Sequence, residues 1–572
     1  MKNKIISIIS IFAISVMMLA GCGTGAAEKN NTTAENSAAL ENSSAAGNSV
    51  DSENAVTAEN SVELENGSTT ESINLEPNII DDNYRNYYEI FVASFYDSDG
   101  DGMGDLKGVT EKLDYIENMG FTGIWLMPIM PSPSYHKYDV TDYYAVDSEY
   151  GTIDDFDELI TEAHKRGINV IIDMVMNHSS SQNKWFTDAC DYLETLSDNQ
   201  KIDTAVCPYA EYYNFSREKL GDTYYQAGNS DFYYEGQFTQ EMPDLNFESS
   251  LVTDEFQNIA KFWISHGVDG FRMDAVTHYK ENDISFNNDV LSSFYEYCKS
   301  LDPDFYLVSE AWTSESDITK YYGSGTPSFF NFDAGNSEGK LIKAARGKYS
   351  ATKFVNAMLQ YQEDFGGANP DYIDAPFITN HDQGRVANTL MQDENDIKMA
   401  GGLLMTMSGS PFVYYGEEIG MSGKGTKDEN KRLSYIWSDS DNAGKTNDPS
   451  GADSGITSSF AGEKEQESDE TSILNYYKNA LQIRNAFPEI ARGTISIIDD
   501  LCLDDIAVIT KTYNDCTIGI IYNTSDETLM VDTANSSVED MTIAAYMSVS
   551  EKTPKQNKTE IEMPGQSICI VE

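Results

Sequence analysis

Short apolar runs alternate with stretches of helical periodicity along the chain from Tyr84 onward. Such alternation is typical of βα units, in which a buried parallel strand is followed by a helix. Eight runs are strand candidates, at 88–95, 121–127, 168–173, 268–272, 305–310, 328–332, 375–379 and 411–415. Because a closed (β/α)8 barrel needs eight strands, the pattern predicts an α/β fold built on a TIM barrel.

The stretches between the runs carry apolar residues at helical spacing. The face of the first predicted helix recurs at intervals of three and four residues, through Leu106, Val109, Leu113, Ile116 and Met119. Two later helices are expected to end at glycines, Gly167 and Gly267, because each glycine comes directly before a strand candidate.

The alternation is broken twice. Residues 179–247 form a long, Tyr-rich, irregular insertion, which divides the barrel into 84–178 and 248–488. A long insertion at the mouth of a barrel usually shapes the substrate cleft. Residues 489–572 consist of short β-rich runs and predict a separate C-terminal antiparallel β-sandwich.

The N-terminus has the features of an export signal. Residues 1–22 combine Lys2 and Lys4 with an apolar stretch too short to span a bilayer, and end at Leu-Ala-Gly-Cys22, which resembles a bacterial lipobox. Residues 23–83 are rich in Asn, Ser, Ala, Glu and Thr and are predicted to be a disordered tether. We therefore expect a lipoprotein anchored through Cys22 at the extracellular face of a bacterial membrane, or a secreted protein.

The composition narrows the range of partners. The formal net charge of the 572 residues is −56, so nucleic acids and anionic lipid surfaces are not expected as partners, whereas a neutral polysaccharide is compatible. Seven cysteines are present, and six remain once Cys22 is set aside as the lipid site. Disulfides are possible in an exported protein, but their pairing does not follow from the sequence. A monomer is expected.

Three carboxylates end predicted strands: Asp274, Glu310 and Asp382. The C-terminal ends of barrel strands carry the chemistry, because the loops there converge on one mouth. Arg272 lies two residues before Asp274, so both side chains of that strand point the same way, and a guanidinium favours the charged form of a carboxylate. A carboxylate nucleophile and a carboxylic acid flanking a sugar bond are the minimum apparatus for glycoside cleavage.

These motifs resemble the α-amylase family, glycoside hydrolase family 13, from about Tyr84 to the C-terminus. The matching segments are 173–178, Gly270 to His278, Glu310 and 380–382, in the family's order and spacing. The resemblance implies that Asp274 is the nucleophile, Glu310 the general acid/base and Asp382 the acid that stabilises the transition state. It also implies that residues 179–247 are the family's domain B, inserted after the third strand.

The resemblance extends to substrate-binding residues. It implies that His136, His178, Arg272 and His381 bind the innermost sugar or orient the acids, and that Tyr138 stacks on the sugar ring.

Other positions bear on specificity. Exo-acting glucosidases of the family carry an acid where this chain has Tyr135, which favours an open cleft. Ala275 matches enzymes that act on α-1,4 bonds, and Met242 to Asn246 resembles a motif intermediate between oligo-1,6-glucosidases and neopullulanases. Lys137 stands where the family commonly has glycine.

A calcium site is predicted directly after the first strand. The segment 97–105 places Asp97, Asp99, Asp101 and Asp105 at positions 1, 3, 5 and 9 of a loop, with the carbonyl of Met103 at position 7. This spacing matches the first part of an EF-hand loop, although position 12 is Gly108 instead of glutamate. The resemblance implies a second Ca²⁺ site between barrel and domain B, with Asn177, Asp244 and the carbonyl of His278 as ligands.

The prediction is thus an α-amylase that cuts internal α-1,4 bonds of starch or maltooligosaccharides with retention. A cyclomaltodextrinase, a neopullulanase or an oligosaccharide α-glucosidase is the alternative within the family. A surface starch-binding lipoprotein without activity is the alternative outside enzymes, although all three acids are present.

Overall fold

The computed structural model describes residues 75–572 of the chain. The predicted signal peptide, Cys22 and most of the predicted tether lie outside these residues. Within the described part, none of the helices has the length and apolar character that crossing a bilayer requires.

The centre of the fold is a parallel sheet that curls into a barrel. Its strand order is β8-β7-β6-β3-β2-β1-β9. These strands are β1 (Tyr87–Ile90), β2 (Gly123–Leu126), β3 (Asn169–Met174), β6 (Gly270–Met273), β7 (Tyr306–Ser309), β8 (Ser328–Phe329) and β9 (Phe412–Tyr414). They are short, nearly all of their residues are buried, and they confirm the predicted (β/α)8 class.

The barrel is closed by the predicted strand at 375–379. This segment makes only two isolated parallel bridges, Phe330 with Ala375 and Phe377 with Phe412, which join β8 to β9. The adjoining strand β8 is also shorter than predicted, at two residues. The aromatic rings of Phe330 and Phe377 pack at 5.7 Å between centroids, so side-chain packing supplements a short hydrogen-bonded ladder here.

Helices surround the barrel: α1 (Leu106–Glu111), α2 (Leu113–Met119), α3 (Ile153–Lys165), α5 (Ser250–Ser265), α6 (Ile284–Leu301), α7 (Glu315–Tyr321), α8 (Lys340–Ala345), α9 (Ala351–Ala368), α10 (Val386–Thr389), α11 (Glu394–Thr406), α12 (Glu463–Glu467), α13 (Ile473–Ala486) and α14 (Pro488–Arg492). The first predicted helix is divided into α1 and α2, because Lys112 leaves helical geometry at ψ 3°. As predicted, α3 and α5 are each followed by a glycine with positive φ, Gly167 at 69° and Gly267 at 86°.

The insertion after β3 is a small subdomain with an aromatic core. It contains α4 (Lys184–Glu194), β4 (Tyr224–Gln226) and β5 (Tyr233–Glu235), and the two strands form an antiparallel pair. Phe186 packs edge-on against Tyr213 and Tyr234, at centroid distances of 5.1 and 4.7 Å. The high tyrosine content of the segment therefore supplies its core.

The C-terminal part consists of two antiparallel sheets. Their strand orders are β10-β11-β12-β17-β14 and β13-β16-β15. The strands are β10 (Thr494–Ile497), β11 (Ile506–Tyr513), β12 (Cys516–Asn523), β13 (Leu529–Asp532), β14 (Ile543–Ser548), β15 (Lys555–Asn557), β16 (Glu560–Met563) and β17 (Ser567–Val571). Buried residues of both sheets share one apolar cluster, as in a β-sandwich.

Short 3₁₀ helices occur at Val92–Ser94, Pro208–Glu211, Val276–His278, Tyr322–Ser324, Asp428–Lys431 and Asp499–Leu501.

Residues 75–83, the end of the predicted tether, contact the rest of the protein: Asn78 N–H donates to the carbonyl of Asn485 at 2.8 Å, and Arg492 Nε donates to Asp82 at 2.8 Å. The packed chain therefore begins before Tyr84. All six cysteines in residues 75–572 are free thiols.

Candidate active site

Arg272 is the residue around which the site is organised. It lies on β6, is completely buried, and its Nη1 donates to Asp173 and Asp274 at 2.7 Å each. Its Nη2 donates to Glu310, at the end of β7. Burial alone would lower the pKa of Arg272, but the carboxylates around it raise that pKa well above its usual value. One permanent cation therefore holds two of the predicted catalytic carboxyl groups beside each other.

Glu310 and Asp274 have different surroundings. Burial raises the pKa of Glu310 to about 7, with the charges of Asp274 and Asp382 adding to the effect and Arg272 opposing it. Asp274 accepts hydrogen bonds on both oxygens, from Arg272 and, at 2.7 Å, from Asn177 Nδ2. Glu310 is thus suited to donating a proton near neutral pH, and Asp274 is fixed on both sides by donors.

The turn after Asp274 is tight. Ala275 has φ 40°, in the left-handed region that residues other than glycine seldom occupy, and its N–H points to Glu310 at 3.4 Å. The 3₁₀ helix Val276–His278 begins directly after it. This turn leads the chain from Asp274, the predicted nucleophile, past the carboxyl group of Glu310.

Asp382 is bound by two cationic partners. His381 Nε2 lies 3.1 Å from its Oδ2, and Arg432 Nη2 donates to its Oδ1 at 2.8 Å. Burial opposes ionisation of Asp382, but the two cations outweigh that effect and hold its pKa below the usual range. Its side chain is 32% exposed, so the charged carboxylate is accessible from the cleft.

Tyr138 lies flat against His381. Their rings are 5.5 Å apart at an angle of 16°, and the hydroxyl group of Tyr138 contacts His381 Nε2 at 2.7 Å and donates to Asp173 at 3.1 Å. The predicted sugar-stacking ring is therefore held in place by the same network as the acids. Asp173 is itself buried, and burial raises its pKa to about 6 against the opposing charge of Arg272.

His178 has an unused hydrogen-bonding atom. Its Nδ1 contacts Asn177 Oδ1, whereas its buried Nε2 has no partner among the described residues. Burial lowers the pKa of His178 to about 4, so the ring is neutral at pH 7. An unpaired buried nitrogen is costly, and a sugar hydroxyl group is a suitable partner for it.

His136 orders the loop that carries Tyr138. Its Nδ1 lies 3.1 Å from both the N–H of Tyr138 and the hydroxyl group of Ser134. Burial lowers the pKa of His136, and the charge of Arg432 acts in the same direction. Because Nδ1 accepts the Tyr138 N–H, the ring supports the backbone at the stacking residue.

The structure accounts for Lys137. Its φ of 66° explains why glycine suits this position, and its buried ammonium group lies 2.7 Å from Asp147 and also contacts Glu149. The ion pair within the same loop thus offsets the unfavourable free energy of the left-handed backbone conformation at Lys137.

Three residues of the site were not predicted from the sequence: Asp173, Glu89 and Arg432. Asp173 opens the 173–178 motif and ends a strand, so it carried the same signal as the three acids. Glu89 is the one carboxylate within the buried strand β1, where an acid needs a partner. Arg432 lies in an irregular segment, where no local sequence pattern indicates that it belongs to the site.

The predicted calcium loop forms a partial carboxylate cluster. Oxygen atoms of Asp97, Asp99 and Asp105 lie within 4.8 Å of one another. Asp101 does not join them, since it accepts the N–H of Met103 at 2.7 Å at an exposed position. Carboxylate oxygens are suitable ligands for a hard cation, so three of the four predicted side chains fit such a site.

The second predicted calcium site, between the barrel and domain B, is less complete than the loop 97–105. Asn177 directs its amide group to Asp274 and His178. Asp244 accepts the N–H of Gln237 at 3.1 Å, and burial raises the pKa of Asp244 to about 8. The two residues lie close together, because the N–H of Leu245 donates to the carbonyl of Asn177 at 3.0 Å. The backbone brings them together, but the amide of Asn177 is directed to its neighbours in the active site.

The chain is similar to known proteins over most of its length. A family profile described as "Alpha amylase, catalytic domain" matches residues 89–493. Alpha-amylase 3 of Dictyoglomus thermophilum is 40% identical over 429 residues, covering 73% of this chain and 80% of that protein. Alpha-amylase SusG of Bacteroides thetaiotaomicron is 29% identical over 555 residues, covering 72% and 79%.

Solved structures agree with this similarity. Amy13B of Eubacterium rectale superposes with a TM-score of 0.83 at 44% identity, over 87% of this chain and 97% of that one. The α-amylase from H. orenii gives a TM-score of 0.74 at 33% identity, over 86% and 99%. With the fold and the order of the motifs, these matches lead to one conclusion: the chain belongs to the α-amylase family, glycoside hydrolase family 13.

Proposed function

We propose that this enzyme hydrolyses internal α-1,4 bonds of starch and maltooligosaccharides with retention of configuration. The observation that carries the proposal is that one guanidinium, Arg272, holds Asp274 and Glu310 side by side. Neighbouring carboxyl groups suit a double displacement through a covalent intermediate, whereas inversion requires room for a water molecule between them.

In the first step, Glu310 donates its proton to the glycosidic oxygen while Asp274 attacks the anomeric carbon. The bond to the leaving chain breaks, and the sugar becomes covalently attached to Asp274. In the second step, Glu310 removes a proton from water, which attacks the same carbon and releases the sugar. The raised pKa of Glu310, about 7, supports its role as the acid at neutral pH.

The remaining residues hold the sugar that is being transferred. Tyr138 offers a ring face to the apolar side of the pyranose. Because Nδ1 of the neutral His178 ring donates to Asn177 Oδ1, its free Nε2 accepts a hydrogen bond from a sugar hydroxyl group. His381 and Asp382 present a charged pair beside the hydroxyl group of Tyr138. Internal cleavage is supported by Tyr135, which stands where exo-acting members carry an acid.

We further propose that Ca²⁺ binds Asp97, Asp99 and Asp105 in a structural role, since these carboxylates converge. The N-terminal motif supports attachment to the extracellular face of the membrane through lipidated Cys22. If Cys22 carries the lipid anchor, the full chain should partition into a detergent phase. The variant Cys22→Ala should lose this partition.

Product analysis by chromatography tests the activity. Mixed maltooligosaccharides from soluble starch are the expected products, and Asp274→Asn or Glu310→Gln should abolish them while the fold is retained. Glucose alone would indicate an exo-glucosidase, and panose from pullulan a neopullulanase. A protein that binds starch but releases no product would be the non-catalytic binder.

A further inference from the structure

Three aromatic rings form a row on the outer wall of the barrel, away from the mouth. Tyr144 packs edge-on against Phe262 with 5.5 Å between ring centroids, and Phe262 packs against His266 at 4.7 Å. Phe262 lies on α5 and His266 directly follows that helix, whereas Tyr144 lies in the loop between β2 and α3. Tyr144, Phe262 and His266 are together called the ring row.

The ring row is accessible from the solvent. Tyr144 is 37% exposed, the side chain of His266 is 23% exposed, and Phe262 between them is partly buried. A single exposed aromatic residue is ordinary, but adjacent exposed rings form a continuous patch, which is typical of an interaction site.

Hydrogen bonds fix both ends of the row. The hydroxyl group of Tyr144 donates to Glu255 of α5 at 3.0 Å, and the N–H of Tyr144 donates to Asp142 at 2.9 Å. At the other end, His266 Nδ1 lies 2.7 Å from Asp157 of α3. Side chains that are already ordered lose little conformational entropy when a ligand binds. The row is therefore a preorganised surface.

Buried residues connect the row to the active-site motif. Phe262 packs edge-on against Trp263 at 5.2 Å, and Trp263 is completely buried. Trp263 Nε1 donates to the carbonyl of Tyr143 at 2.9 Å, and the hydroxyl group of Tyr143 donates to the carbonyl of His178 at 2.9 Å. The row thus has a rigid inner support and opens only on the outer wall.

The chemistry of the row fits a neutral polysaccharide. Glu255 and Asp157 flank the rings, and the side chain of Asp157 is 45% exposed, so these carboxylates accept hydrogen bonds from a ligand. A pyranose has apolar C–H faces that lie against aromatic rings, and its hydroxyl groups donate to carboxylates. The two acids, like the net charge of −56, disfavour an anionic partner.

We propose that the ring row is a second binding site for α-glucan, separate from the catalytic cleft. The helices α3 and α5 precede β3 and β6, which are neighbours in the sheet, so the site lies on the outside of the barrel. This inference rests on the proposed function for the identity of the polymer. A second site raises the effective concentration of a long polymer near the cleft, so it assists hydrolysis of granular starch but not of a short soluble oligosaccharide.

Adsorption to starch granules tests the site without catalysis. The protein is studied in the Asp274→Asn background, so that the granules are not consumed. Adding Tyr144→Ala should lower the association constant for granules about tenfold, because the exposed ring is lost. Adding Tyr144→Phe instead should retain most of the adsorption, because the ring remains.

Hydrolysis gives a second measurement, in the enzyme that keeps Asp274. Tyr144→Ala should lower the initial rate on dilute starch granules about tenfold, and it should change kcat/KM for maltoheptaose by less than about twofold. A ring that belonged to the cleft, or one that only stabilised the fold, would affect both substrates alike.

The matched control is Tyr295→Ala, on another outer helix. Tyr295 lies on α6, is partly buried, and has the ammonium group of Lys299 5.3 Å from its ring centroid. Its loss should change neither adsorption nor hydrolysis.

Four results would overturn the second site: no adsorption of the Asp274→Asn protein to granules, unchanged adsorption on adding Tyr144→Ala, an equal loss on granules and maltoheptaose, or the same loss in Tyr295→Ala. If the unmodified enzyme did not hydrolyse maltoheptaose, the proposed function would be wrong. The adsorption measurement would still decide on the second site, so the two failures are distinguishable.

Discussion

Glu89 and His381 form a buried ion pair between the first strand and the segment that closes the barrel. Glu89 Oε1 lies 2.5 Å from His381 Nδ1, and both side chains are 1% exposed. Burial opposes the charge of His381, but Asp382 and Glu89 outweigh it and raise the pKa of His381 to about 9. His381 is therefore an imidazolium at neutral pH, and its Nε2–H is available to Asp382 and Tyr138.

This pair predicts a measurable titration. The chain has six histidines, so ring-labelled histidine gives few NMR signals, and His381→Gln assigns the one of interest. In the unmodified enzyme, His381 should stay charged until the pH approaches 9, because its pKa is raised. Glu89→Gln removes one of the two anions, so the midpoint should move to lower pH. A midpoint that does not move would show that Glu89 has no influence on the charge of His381.

A second prediction concerns the pH dependence of hydrolysis. Since Glu310 has a raised pKa of about 7 and acts as an acid, it is active when protonated. Above that pH, kcat/KM for maltoheptaose should fall by about tenfold per pH unit, as expected for the loss of one essential proton. α-Maltotriosyl fluoride serves as the control, because fluoride leaves without a proton. An alkaline decline of equal steepness on both substrates would assign the titration to another group.

The third prediction concerns the loop 97–105. A cation that binds only the folded protein stabilises it by about 2.7 kcal/mol at a hundredfold excess over Kd. Chelation should therefore lower the melting temperature, and Ca²⁺ should restore it. Asp99→Ala should reduce this response, whereas Asp101→Ala should leave most of it, since Asp101 lies outside the cluster. A melting curve insensitive to chelator, with no metal by elemental analysis, would contradict the site.

The fourth prediction concerns Lys137. Its ammonium group pairs with Asp147 at 2.7 Å, and the two side chains are 4% and 8% exposed. Lys137→Met leaves the Asp147 carboxylate buried without its cation, which should lower the free energy of unfolding by about 3–5 kcal/mol. Urea unfolding measures the change. Adding Asp147→Asn should recover part of the loss, because the buried unpaired charge is then removed and the other partner, Glu149, is 54% exposed. A double variant as unstable as the single one would argue against the ion pair.

Several features of this protein followed from the sequence alone. Asp274, Glu310 and Asp382 could be placed at strand ends because apolar runs mark parallel strands, and the ends of such strands meet at one mouth. The stops of α3 and α5 could be placed at Gly167 and Gly267, because a positive φ favours glycine. These inferences depend on local periodicity and local backbone preference, which a linear sequence records directly.

Other features were decided only by the tertiary structure. Glu89 and His381 are 292 positions apart, and Asp382 and Arg432 are 50 apart, so no local pattern pairs them. The exclusion of Asp101 from the carboxylate cluster depends on where one loop turns. Contact between side chains from distant segments depends on how the barrel closes. Burial and the neighbouring charges then shift the pKa values of these side chains and so decide their charges. The sequence alone therefore determined which residues are predicted to carry the chemistry, whereas the closed barrel decided which partners hold them and in which protonation state.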